Sequence, residues 1–205
     1  MRIVLTRHGE VEGIAPPRFR GRAQLQLTEV GRQQAHALAA AVAERFRPAA
    51  VYTSPMQRCR DTGREIAAAC GVGERVLEGI NDFDYGDWHW KTHEEVKAAF
   101  PAQFDLWKSA PQWMSFPAGE SLQAVALRTM DALRELLVVH EEDTVVLVAH
   151  DSVNRVILLH ALDLSLSAYW RVEQHPCCLN LLDVGMDGRA SIKIINETAH
   201  LGTHR

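Results

Sequence analysis

A three-layer α/β/α sandwich around a largely parallel central sheet is the fold this sequence predicts, on three observations. Strand-like and helix-like segments alternate along the chain, as in βαβ units. Ile3-Val4-Leu5 and Thr144–Ala149 (TVVLVA) are continuous apolar runs, as expected of strands covered on both faces. With 205 residues and 47% hydrophobic composition the chain can bury one large core, and no linker, repeat or low-complexity stretch divides it. One domain over 1–205 is expected, with an aromatic-rich cap insertion around 81–116.

The elements follow in order. The first strand ends in Thr6-Arg7-His8-Gly9, so these residues stand at a strand's carboxyl end, where open α/β sheets bind ligands. Residues 28–46 place Ala35, Leu38, Ala39, Val42 and Phe46 at helical spacing, with Thr28 as N-cap and Pro48 closing the segment. Val51-Tyr52-Thr53 reads as a short strand. Ser54-Pro55 then predicts a helix start, a capping hydroxyl followed by proline at the first position, for a helix that reaches Cys70 and stops at Gly71. A strand is expected over 75–77. From 81 to 113 the chain is aromatic and irregular, with a helix over 92–100 interrupted at Pro101. A helix over 121–140 precedes the strand Thr144–Ala149. His150-Asp151-Ser152 leads into a helix over 153–162, for which Asp151 is a ready N-cap. Strands over 178–184 and 190–195 pair as a hairpin across 185–188.

Composition narrows the function. A net charge of −4 offers no basic face for nucleic acid. The ten histidines are scattered, without metal-ligand spacing, so no metal and no cofactor is expected. No apolar run approaches the ~20 residues that span a bilayer, and Met1-Arg2 leads straight into a strand rather than a signal peptide. The four cysteines, Cys59, Cys70, Cys177 and Cys178, form neither a CxxC pair nor a disulfide framework and read as free thiols in a reducing cytoplasm.

Two strands thus end in histidine, IVLTRH and VVLVAH, and a third, VYTSP, delivers the helix that carries Arg58. Parallel neighbours would bring His8 and His150 to one sheet edge. In this order the motifs LTRHGE (5–10), LTEVGRQQA (27–35), YTSPMQRCRDT (52–62), PAGES (117–121) and VVLVAHDSVNR (145–155) resemble those of the histidine phosphatase superfamily, the phosphoglycerate-mutase-like family, in its first branch. The resemblance covers Met1 to about Leu162. RHG alone is a weak tripeptide; RHGE after a first strand, joined to SPxxRxxxT and a second strand-terminal histidine, is specific.

The resemblance implies a metal-independent phosphomonoester hydrolase acting through phosphohistidine on a small phosphorylated metabolite, with no nucleic-acid or membrane partner and a homodimer left open. It implies His8 as the nucleophile, Arg7 and Arg58 on the phosphate oxygens and His150 completing the pocket, with Gly9, Arg20 and Gly21 among the substrate-binding residues. The chemistry suits these types. A neutral imidazole is a nucleophile near pH 7, positive neighbours hold it neutral, and guanidinium forks match the oxygens of a transferring phosphoryl group. For the proton donor two aspartates compete. Asp82 stands four residues before Gly86 in NDFDYGDWHW, where the first branch carries a glutamate; His89 and Trp90 depart from that pattern. Asp151 follows the second histidine, as in the acid phosphatase branch. Asp82 is preferred, and Asp84 and Glu78 read as bystanders. The asparagine of the mutase pattern RHGxxxWN is missing at Val11-Glu12-Gly13-Ile14, which favours hydrolysis over phosphoryl transfer between metabolites. Arg18, Arg20 and Arg22 read either as contacts to a second acidic group or as an exposed basic loop. The aromatics of 83–116 read either as a ring-stacking cap or as core beneath a loop.

Overall fold

The computed structural model describes residues 1–14 and 16–202, so Ala15 and 203–205 of the expected domain lie outside the described residues. The chain runs β1 (Arg2–Arg7), α1 (Glu29–Arg45), β2 (Ala50–Thr53), α2 (Gln57–Cys70), β3 (Glu74–Val76), α3 (His93–Ala99), α4 (Pro101–Ser109), α5 (Leu122–Val139), β4 (Thr144–Ala149), α6 (Asp151–Ala161), β5 (Leu179–Val184) and β6 (Ala190–Glu197), with short 3-10 turns between. The six strands form one sheet in the order β3-β2-β4-β1-β5-β6. Its first four strands are parallel, and β5 and β6 continue it antiparallel as the expected hairpin.

Strand periodicity builds the layers. Ile3, Leu5, Val145 and Leu147 face one way and pack with α5 and α6 through Leu122, Val125, Leu136, Val153 and Ile157. Val4, Val146 and Val148 face the other way and pack with α1 and α2 through Leu38, Val42 and Ile66. Both faces are covered, which is why TVVLVA shows no polar alternation.

Parallel pairing of β1 with β4 sets the site. The register Arg7↔Ala149 makes His8 and His150 the next residues on adjacent strands, and the His8 amide donates to the Ala149 carbonyl at 3.1 Å. β2 lies on the other side of β4, and the Ser54 amide continues its ladder to the Val148 carbonyl.

Several boundaries differ from expectation. Helix α2 starts at Gln57, not Pro55, and Met56 holds the cap position without a side-chain bond. Ser54 is still on the sheet ladder, so its hydroxyl points across the strand ends to His150 instead of capping a helix. Asp151 does not cap α6: His150 holds that place, Asp151 is the first helical residue, and its carboxylate accepts from Arg155 Nε one turn on. Pro101 does more than interrupt a helix, since it opens α4 from the first-turn position where its missing N–H costs nothing. Thr28 and Ser121 cap α1 and α5 as expected. Phe83, Trp88, Trp107 and Phe116 are buried in the core beside α5 and α6, and Trp113 stands exposed. Most of the aromatic segment is therefore core, and only Tyr85 of its rings lines the cleft described below.

The turn after β1 packs tightly on the start of α1. A Cβ on Gly31 would stand 2.1 Å from the Glu10 carbonyl oxygen, and one on Gly9 2.4 Å from the Gly31 oxygen. Backbone on both sides leaves no flexible atom to yield. Gly31→Ala is expected to lower stability by about 1–3 kcal/mol, the usual range for overpacking, read from the urea midpoint; an unchanged midpoint would contradict this packing.

Candidate active site

At the carboxyl end of the parallel strands the fold gathers His8, Arg18, Arg20, Gly21, Asp82, Tyr85, His150, Asp151 and Ser152 around one cleft, with Arg7 and Arg58 beneath. His8 and His150 lie with ring centroids 5.3 Å apart, edge to face. Both rings are buried.

His8 has a defined tautomer. Its Nδ1 is 2.7 Å from the Gly9 carbonyl, which can only accept, so Nδ1 carries the hydrogen and Nε2 the lone pair. Arg58 Nε donates to that Nε2 at 3.2 Å. Burial first, then the charges of Arg58, His150 and Arg7, push the His8 pKa well below the usual imidazole value. His150 is held neutral in the same way, by burial and then by Arg58 and Arg7. Its Nε2 shares a 2.7 Å hydrogen bond with Ser54 Oγ. Its Nδ1 lies 3.3 Å from Arg58 Nη2 and 3.2 Å from Asp82 Oδ2; with a neutral ring the latter is a polar contact, not an ion pair.

Arg58, fully buried, is the hub. Nη1 donates to the Ala23 carbonyl at 2.7 Å, and Nη2 to the Gly21 carbonyl at 2.6 Å and to Asp82 Oδ2 at 2.7 Å. Arg7 donates from Nη1 to the Gln174 carbonyl at 2.7 Å, and its Nε is buried without a hydrogen-bond partner. Asp82 Oδ1 accepts from Ser152 Oγ at 2.9 Å and from the Phe83 amide at 2.8 Å. Arg22 and Arg128 donate to the Asp82 backbone carbonyl, which fixes the loop that carries the carboxylate.

The structure therefore brings together His8, Arg7, Arg58, Asp82, His150 and Asp151, the six residues expected to be catalytic. Gly9 and Gly21 stand apart in kind. The Gly9 amide donates to Thr62 Oγ1 and its carbonyl holds His8, while Gly21, at a φ of +44°, offers its carbonyl to Arg58. Both act as backbone holders of the side chains. Asp84 accepts from Arg22 at the cleft's rim. Sequence reasoning missed Ser54, Ser152 and Gln174. Gln174 joins Asn154 and Asn180 in a buried amide network beneath Arg7. Ser54 and Ser152 each sit beside a motif residue, but nothing local marks where a hydroxyl points. Among the described residues, no group of three or more His, Cys, Asp or Glu is placed to hold a metal ion, and no helix is long and apolar enough to cross a membrane.

Two buried imidazoles, two arginines and a carboxylate thus meet at the carboxyl ends of parallel strands. The chain belongs to the histidine phosphatase superfamily, branch 1, whose model matches residues 3–198. It is 30% identical over 200 residues to a bifunctional protein of Mycobacterium tuberculosis, covering 98% of this chain and 55% of that one. The chain thus spans about half the length of the first such relatives. It is 30% identical over 203 residues to phosphoserine phosphatase 1 of Hydrogenobacter thermophilus, covering 98% of this chain and 95% of that one. Among solved structures, YhfR of Bacillus stearothermophilus superimposes with a TM-score of 0.92 at 27% identity over 98% of each chain.

The buried neutral histidines tie stability to pH. Below about 6.5 the unfolded chain binds protons at His8 and His150 that the folded chain does not, so stability falls as pH drops through that value. Each site contributes a slope of up to about 1.4 kcal/mol per pH unit. In urea titrations between pH 6.5 and 5, His8→Gln should lose stability less steeply than the wild type; equal slopes would place a protonated imidazole at position 8.

Proposed function

We propose that the chain is a metal-independent phosphomonoester hydrolase that acts on a small phosphorylated metabolite through a phosphohistidine at His8. The observation that carries this reading is the His8 ring itself: neutral, with Nδ1–H fixed on the Gly9 carbonyl and Nε2 turned to the cationic floor. In the resting site that lone pair accepts from Arg58 Nε; a phosphoryl group that draws the guanidinium to its oxygens leaves Nε2 free for in-line attack on phosphorus.

In the first half-reaction His8 Nε2 forms the P–N bond as the P–O ester bond breaks. Arg7, through its unpartnered Nε, Arg58 and His150 take the phosphoryl oxygens. Asp82 Oδ2 now rests on Arg58 and beside His150, the position those oxygens need. A seated phosphoryl dianion displaces it, and the displaced carboxylate, still tethered by Ser152, takes up a proton from solvent and delivers it to the leaving alkoxide. The proton it gains from water in the second half-reaction returns to solvent when it pairs with Arg58 again. In the second half-reaction Asp82 accepts a proton from water, water oxygen bonds phosphorus, and the P–N bond breaks to release inorganic phosphate and neutral His8. Asp151 is the lesser candidate for the acid because its partner, Arg155, lies one turn along α6, whereas the partner of Asp82 is Arg58, the guanidinium that the phosphoryl oxygens would take over. The segment 81–116 serves in this reading as the cap that carries Asp82 and Tyr85 to the cleft. Free buried thiols at Cys59, Cys177 and Cys178 suit a reducing cytoplasm.

Asp82→Asn is expected to slow steady-state turnover of an alkyl phosphate by about 10²–10⁴-fold, the usual weight of a general acid. An activated aryl phosphate, whose leaving group needs no proton, should still label the protein, and His8→Ala should abolish that label. Normal turnover in Asp82→Asn would transfer the acid role to Asp151, and labelling of His8→Ala would overturn the nucleophile.

A further inference from the structure

Three arginines, Arg18, Arg20 and Arg22, follow one another on the loop over the cleft, and their surroundings differ. Arg18 donates to the Trp90 carbonyl, lies over the Trp90 ring and stands 3.9 Å from Glu95. Arg22 pairs with Glu120 at 3.0 Å and Asp84 at 3.4 Å. Arg20, between them, has no carboxylate within ion-pair distance among the described residues. Among the described residues its side chain makes one hydrogen bond, from Nη1 to the Gly13 carbonyl at 2.6 Å, which leaves Nε and Nη2 for another partner. It is partly buried and lines the cleft with His8, Asp82 and Tyr85.

A half-buried guanidinium with no ion-pair partner is costly to keep charged: burial, then the nearby Arg7 charge, depresses the Arg20 pKa to about 10, with Asp82 and Tyr85 acting the other way. Position separates Arg20 from the phosphoryl seat. Arg58 contacts both His8 and His150, whereas the Arg20 side chain is held at the Gly13 carbonyl. Arg20 and Tyr85 line the same cleft as His8 and His150 and make no hydrogen bond to either ring among the described residues, so they are placed to meet the part of a monoester beyond its phosphoryl group. Charge points the same way. When Asp82 is protonated to act as the acid, Arg7, Arg20 and Arg58 together oppose a dianionic phosphoryl group, and one negative charge more restores balance. A free guanidinium fork is the geometric match of a carboxylate.

Resting on the hydrolase reading above, we propose that Arg20 is a specificity-determining residue that binds a carboxylate of the substrate, so that the preferred substrates are phosphomonoesters of hydroxy acids or hydroxy amino acids. Tyr85 forms the wall beside that carboxylate.

Two matched pairs test this, each differing at the carboxylate: O-phosphoserine against O-phosphoethanolamine, and 3-phosphoglycerate against glycerol 3-phosphate. The wild type is expected to favour the carboxylated member of each pair by at least about tenfold in kcat/KM, the scale of one charge-assisted bond. Arg20→Gln should bring both ratios towards one, and Arg20→Lys, a charge without the fork, should keep part of the preference. Ratios near one in the wild type, or ratios unmoved in Arg20→Gln, overturn the assignment. The wild-type ratios need no variant to fold, and a thermal melt of each variant guards the rest. Turnover of para-nitrophenyl phosphate that depends on His8 distinguishes the two levels. With that turnover present, flat ratios sink the Arg20 assignment alone; without it, the hydrolase reading falls and this inference with it.

Discussion

The buried guanidinium of Arg58 is the constraint on which the site depends. A charge with no access to water must be met by hydrogen bonds in every direction its donors point. Here its donors reach His8, His150, the Asp82 carboxylate and the carbonyls of Gly21 and Ala23. Those partners come from the ends of β1 and β4, the loop after β3 and the loop before α1. One side chain from α2 therefore draws four separate segments to a point. Burial first, and then the same charge, hold both imidazoles neutral, so the residue that assembles the site also helps to keep its rings deprotonated.

The sheet supplies the rigidity this arrangement needs. Reacting groups carried on strand ends inherit the register of the ladder, and the pairing Arg7↔Ala149 leaves the two histidines no freedom to slide apart. Apolar side chains of β1 and β4 are buried on both faces, so the platform is held by packing far from the chemistry. The acidic group rides instead on an irregular loop, pinned through its backbone by Arg22 and Arg128 and through its carboxylate by Ser152. A loop can yield when an anion competes for Arg58, whereas a strand end cannot. That division between a fixed proposed nucleophile, His8, and a movable proposed acid, Asp82, fits a two-step transfer in which the acid later turns base.

Much of this was legible in the residues. Apolar runs that stop at Arg7-His8 and at His150 announced buried parallel strands with chemistry at their ends, and the alternation of elements gave the layers. The motif spacing around Arg58 pointed to a phosphate ligand, although its helix otherwise carries the half-buried Arg60 and the exposed Arg64 and its burial is a tertiary property. Other features were out of reach for the same reason. Ser54 looked like a helix cap because local sequence cannot tell that its amide remains on the sheet ladder. Gln174 lies far along the chain from Arg7, which it supports, and no period or motif links them. Rings at Phe83, Trp88 and Phe116 have the composition of a binding surface but the burial of a core.

The proposed chemistry turns on the protonation of one ring, and nitrogen NMR of the His8 imidazole reads it directly. The expected spectrum at pH 7 shows a protonated Nδ1 and a bare Nε2, unchanged as the pH is lowered through 6.5, the value at which an ordinary histidine titrates. A ring that carries its hydrogen on Nε2, or one that becomes imidazolium near 6.5, would leave the site without its nucleophile and contradict the account.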